Sequence, residues 1–140
     1  REEEAERLGL GCVAMRRTRD YHTYLYGLPM KLRDAGTRSD PSAERAEFEG
    51  REAWSIRVTY DPDVGSDTWY FYFDTDDFAL IGYRFYHDEA ANDGEYIVLD
   101  REAEGGGLRL PKVRAWYTHG DDRHLGTDTI QGIERLNREQ

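Results

Sequence analysis

The segment AWSIRVTY, residues 53–60, alternates apolar and polar positions. Trp54, Ile56, Val58 and Tyr60 fall on one side, and Ser55, Arg57 and Thr59 on the other, the period of a half-buried antiparallel strand. In TWYFYFD, residues 68–74, rings stand on both sides, with Trp69, Phe71 and Phe73 opposing Tyr70 and Tyr72. Such a strand needs cover on each face. An acidic turn leads into FALIGYRFYH, where alternation puts Ala79, Ile81, Tyr83 and Phe85 on one face. Asn92-Asp93-Gly94 reads as the next tight turn, because Asp-Gly supplies positive φ angles. The glycines of EGGG mark another turn before GLRLPKVRAWYTH, and HLGTDTIQGIERL closes the chain with a final strand. Strands spaced by about ten residues with turns between them describe an antiparallel meander that curls into a sandwich or barrel.

The N-terminal part departs from this pattern. Residues 1–17, REEEAERLGLGCVAMRR, predict a helix, with acids at its start and Arg16 and Arg17 at its end, as the helix dipole favours. Residues 21–41 mix aromatics with Gly27, Pro29 and Gly36, and predict a short strand followed by a loop or helical turn.

At 140 residues the chain has the length of one domain and enough surface to bury a core. Hydrophobic residues make up only 38%, but aromatics reach 13% with ten tyrosines, so large rings must supply much of the buried area. A net charge of -10, spread along the chain, argues against nucleic acid and anionic lipid surfaces as partners. The single cysteine, Cys12, excludes an internal disulfide and a multi-cysteine metal site. LGLGC resembles a lipoprotein cleavage box, but the acidic REEEAER before it is the opposite of a signal flank. No apolar run has the length of a membrane span. A first residue of Arg1 reads as a fragment or trimmed form of a longer chain.

Candidate chemistry is sparse. Asp61, Asp63 and Asp67 in YDPDVGSD are spaced somewhat like a calcium loop, yet counting from Asp61 the sixth and twelfth positions hold Ser66 and Tyr72 instead of Gly and Glu. A hairpin turn is the better reading. His87, Asp88 and Glu89, beside Asn92 and Asp93, could form an acid-base pair, and His119 and His124 flank the acidic turn HGDDRH. No second histidine stands at metal-ligand spacing, His22 is distant, and there is no Gly-x-Ser-x-Gly element. EGGG lacks the Lys-Ser/Thr of a phosphate loop. No catalytic residue, metal ligand or cofactor is therefore assigned. The strongest feature is the aromatic set itself: Trp54, Tyr60, Trp69, Phe71, Tyr83, Phe85 and Trp116 are the candidate lining of an apolar concavity, or simply a packed core.

The segments YLYGLPMKLRDAGT, VTYDPDVGSDTWYFYFDTDDFALIGYRFYHDEAANDGEYIVL, GLRLPKVRAWYTH and LGTDTI resemble a bacterial family of unknown function, over roughly residues 21 to 130. More distantly the chain is similar to the outer-membrane lipoprotein-sorting carriers. The resemblance implies a mainly β (α+β) fold, a strongly curved antiparallel sheet or half-barrel with an N-terminal helix or plug. It also implies export to the periplasm or outer membrane, an envelope partner, and a cavity that receives a lipid or acyl chain.

Together these features predict the 68–87 hairpin at the centre of the sheet and a non-enzymatic envelope protein binding an apolar ligand. Two alternatives follow from the same residues. In one, the sheet is fully packed and serves as an interaction module, its unpaired edge pairing with a second copy. In the other, a hydrolase is built on His87 and its neighbouring carboxylates.

Overall fold

A computed structural model describes residue 7 and residues 11–135. It divides into two compact units, one ending at Asp34 and one beginning at Ala35.

The first unit holds helix α1 (Cys12–Gly27) and a 3-10 turn (Met30–Arg33). The expected helix over residues 1–17 lies largely outside the described residues, and the expected strand after Tyr21 is instead the continuation of α1. Tyrosine and threonine suit strands because they fit a pleated surface, not because their backbone forbids a helix. Here Thr18 and Thr23 turn their hydroxyls back to the carbonyls of Ala14 and Arg19, at 3.0 and 2.8 Å. The helix stops where Leu28 must be extended ahead of Pro29 (ψ 145°).

The second unit is an open antiparallel meander, curved like a half-barrel and not closed on itself. Its strands are β1 (Thr37–Ser39), β2 (Glu44–Phe48), β3 (Arg51–Tyr60), β4 (Thr68–Asp74), β5 (Leu80–Asp88), β6 (Asp93–Gly105), β7 (Leu108–Thr118) and β8 (His124–Thr129). Both β1 and β2 pair with β3, at its two ends, so together they form one edge strand interrupted between Asp40 and Ala43. From β3 to β8 each strand pairs with the next. The β4–β5 hairpin lies at the centre of that order, as the aromatic pattern predicts.

Register sorts the side chains into two faces. A tryptophan face carries Trp54, Val58, Trp69, Phe71, Tyr83, Phe85, Ile97 and Trp116, because Val58 lies opposite Trp69, Phe71 opposite Tyr83, and Ile97 opposite both Tyr83 and Trp116. A tyrosine face carries Tyr70, Tyr72, Tyr96 and Tyr117. Its buried centre is Phe48, Ala53, Tyr72, Ile81 and Tyr96.

Two local expectations change. Ile81 does not share a face with Tyr83 and Phe85: a register shift between Tyr72 and Phe73 turns it into the tyrosine-face core. One inserted residue is enough to reverse the alternation. Between β5 and β6 the positive φ belongs to Asn92 (53°), while Asp93 and Gly94 are already in β6. Gly94 is required for space instead, since a Cβ there would come within 1.9 Å of the Phe85 carbonyl oxygen. The β6–β7 turn does use glycine for its conformation, with φ of 58° at Gly106 and 83° at Gly107.

Candidate functional site

All seven predicted lining residues belong to the tryptophan face, but they divide into two groups. Trp69, Phe71, Tyr83 and Phe85 are buried, each at most 7% exposed. Their rings pack on one another, with Trp69 stacked on Phe85 at 4.8 Å and on Phe71 at 5.8 Å, and Phe71 tilted against Tyr83 at 5.8 Å. These four are core. Trp54, Tyr60 and Trp116 remain partly exposed. Trp116 donates its indole N–H to Asp128 Oδ2 at 3.2 Å, a bond that ties β7 to β8.

The open space lies at the β3–β4 end of the same face. A cavity of about 450 Å³ is bounded by Ala43, Trp54, Ile56, Phe73 and Phe78. Trp54 stands opposite Phe73 across the β3–β4 ladder, and Ile56 follows Trp54 on the same side. Ala43 ends the interruption between β1 and β2, and Phe78 comes from the β4–β5 turn. That turn is tied by Asp74 N–H to the Ala79 carbonyl (2.9 Å), Asp76 N–H to Asp74 Oδ1 (2.8 Å) and Ala79 N–H to Asp77 Oδ1 (2.9 Å). It holds Phe78 at φ 59° with the residue 66% exposed. A bulky residue in the left-handed region is uncommon, and an exposed ring gains little from burial to offset it.

Of the cavity wall, sequence reasoning singled out only Trp54 as a ligand contact. Ile56 and Phe73 were legible as members of the same strand faces. Ala43 and Phe78 carried no signal, because they depend on where an edge strand breaks and how a turn is wound.

The histidines do not converge. His87 Nδ1 is 2.8 Å from Asp67 Oδ1 at the far end of the tryptophan face, and this hydrogen bond raises the imidazole pKa above its ordinary value despite some desolvation. Glu95, directly across from Phe85, is pushed up by burial and pulled down by His87. His119 lies on the other side of the sheet, stacked on Tyr86 at 4.4 Å with its Nε2–H donating to the Phe85 carbonyl at 3.1 Å. Burial lowers its pKa. His124 bonds Thr127 Oγ1 at 2.9 Å. No group of three or more His, Cys, Asp or Glu side chains among the described residues is arranged to hold a metal. Asp61 caps its own turn, its carbonyl accepting from Val64 and Gly65 while its carboxylate meets Arg38 Nε.

The chain belongs to a family of unknown function, DUF6503, which matches residues 3–134. Neither a curated protein nor a solved structure matches it.

Proposed function

We propose that this member of a family of unknown function is a non-enzymatic binding protein that holds an apolar ligand, such as a lipid or acyl chain. The supporting observation is the cavity of about 450 Å³ whose five bounding side chains are all apolar. That volume lies within the range of small-molecule sites, roughly 300–1,000 Å³. Burying ligand surface there contributes about 25 cal/mol per Å² before the cost of association. Of the aromatic set, Trp54 contacts ligand, while Trp69, Phe71, Tyr83 and Phe85 form the packed core further along the same face. Resemblance to the lipoprotein-sorting carriers adds an envelope location and an acyl ligand to this reading.

The test is uptake of a fluorescent fatty acid, paired with native mass spectrometry of protein extracted under mild conditions. Saturable uptake, reduced by Trp54→Ala, is expected. Protein that emerges empty and takes up no probe overturns the proposal.

A second reading draws on the near-complete burial of the Trp69, Phe71, Tyr83 and Phe85 cluster. Here the sheet is a packed scaffold, and its outer edge at β1–β2 or β8 pairs with another chain. Sedimentation distinguishes the two: a concentration-independent monomer removes the self-pairing form of this reading.

A further inference from the structure

The three rings around the cavity differ from most of the aromatic set. Phe48, Trp69, Tyr70, Phe71, Tyr72, Tyr83, Phe85, Tyr86, Tyr96 and Tyr117 each pack against another ring. Trp54, Phe73 and Phe78 enter no such stack among the described residues, although all three border one cavity. The indole of Trp54 does meet one group, the guanidinium of Arg45, whose Cζ is 4.6 Å from the ring centroid. A cation is thus the partner this ring already takes.

We infer that the cavity is an aromatic cage for a trimethylammonium group, an inference that rests on the apolar-ligand reading above and names its head group. The electrostatic surroundings select a cation. Glu47 and Glu52 face each other across the β2–β3 ladder, on the side that carries Trp54, and Asp76 and Asp77 precede Phe78 in its turn. Against these four carboxylates stands Arg45, held to Glu52 at 3.5 Å. An anionic head group would meet net repulsion from these neighbouring positions, and the whole chain carries -10.

Full alkylation follows from the cavity wall. A primary ammonium brings three N–H donors that need acceptors, and Ala43, Trp54, Ile56, Phe73 and Phe78 offer no side-chain acceptor. A trimethylammonium has no donor to satisfy, is weakly hydrated, and presents methyl groups to the rings while its charge is attracted by their quadrupoles.

The experiment is calorimetric titration of the protein with choline, with its uncharged carbon isostere 3,3-dimethyl-1-butanol, with decanoate, and with dihexanoyl phosphatidylcholine below its micelle concentration. Choline is expected to bind about 3- to 30-fold more tightly than the isostere, the span of a cation–π preference. Trp54→Leu and Phe78→Leu, which keep apolar bulk but remove the π face, should erase most of that difference. Affinity for the phospholipid above that for choline assigns the group to a lipid; equal affinity assigns it to a small free cation, and both support the cage. If the isostere or decanoate binds as tightly as choline, or if the leucine variants keep the preference, the cage is overturned while the apolar site stands. If none of the four binds, both readings fall.

Discussion

The ring of Phe48 lies across Gly82, so that a Cβ built at Gly82 would sit 2.1 Å from Phe48 Cε1 and 2.7 Å from the Ile97 carbonyl oxygen. Phe48 comes from the edge strand β2, stacks on Tyr72 of β4 at 4.4 Å, and reaches over β5. The hydrophobic centre of the tyrosine face is closed by this one ring crossing a residue without a side chain. Gly82→Ala must displace either Phe48 or the β5–β6 ladder, and overpacking of this kind costs about 2–3 kcal/mol. At Gly126 in β8 an added Cβ would meet nothing within 4 Å, so Gly126→Ala should change stability by less than about 0.5 kcal/mol. Urea midpoints for the two variants check the contrast.

Two histidines should tilt the pH profile of stability in opposite directions. The folded-state pKa of His119 is depressed, chiefly by burial, so the unfolded chain binds its proton more readily. Its contribution is present above the ordinary value of 6.5 and is lost as pH falls through the lower folded-state pKa. His87 is raised, chiefly by its hydrogen bond to Asp67, so its contribution is full below 6.5 and is lost as pH rises through the folded-state pKa. His119→Gln should flatten the acid limb and His87→Gln the limb above 6.5. Because the His87 side chain is 58% exposed, its effect should be the smaller and should weaken in salt. Urea midpoints measured from pH 5 to 8 read both effects.

Tyr96 supplies an alkaline counterpart. Its hydroxyl donates to Asp122 Oδ1 at 3.1 Å, and burial pushes the phenol pKa from 10.0 up to about 12. The unfolded chain ionises first, so stability should decline as pH rises from 10 towards about 12. Tyr96→Phe should remove that component and, through loss of one hydrogen bond, cost about 0.5–1.5 kcal/mol at neutral pH. Tyr70 and Tyr72 are also raised by burial, so spectrophotometric titration of tyrosinate absorbance should show a late-ionising group of tyrosines that is smaller by one in the variant.

The strands were legible in the sequence wherever one residue occupies one pleat. AWSIRVTY gives Trp54, Ile56 and Val58 on one face because nothing interrupts β3, and the central place of TWYFYFD follows from its two covered faces. Legibility failed where a local event resets the count. The shift between Tyr72 and Phe73 sends Ile81 to the opposite side, and the break between Asp40 and Ala43 opens the edge beside Trp54. Tyr21 to Tyr26 join α1 because helical hydrogen bonding continues through them, which strand propensity does not forbid. The candidate site was half visible for the same reason. Its strand residues obey alternation, whereas Ala43 and Phe78 are placed by the break and the turn.

Phe78 brings stability and binding into opposition. At φ 59° it occupies a region that glycine enters freely and a phenylalanine does not, and its exposure of 66% leaves most of the ring outside the core. Phe78→Gly removes the left-handed strain, roughly 1 kcal/mol, while giving up little buried area. Added freedom in the unfolded chain offsets part of that gain, so the variant should be unchanged or up to about 1 kcal/mol more stable. Ligand affinity should move the other way, because one wall of the cavity is gone, and a weakening of about 3- to 30-fold for a cationic ligand is expected from loss of one ring. Thermal unfolding and calorimetric titration of the same variant check the pair. A marked loss of stability would mean that Phe78 is held in place for packing, and unchanged affinity would mean that ligand does not reach the ring.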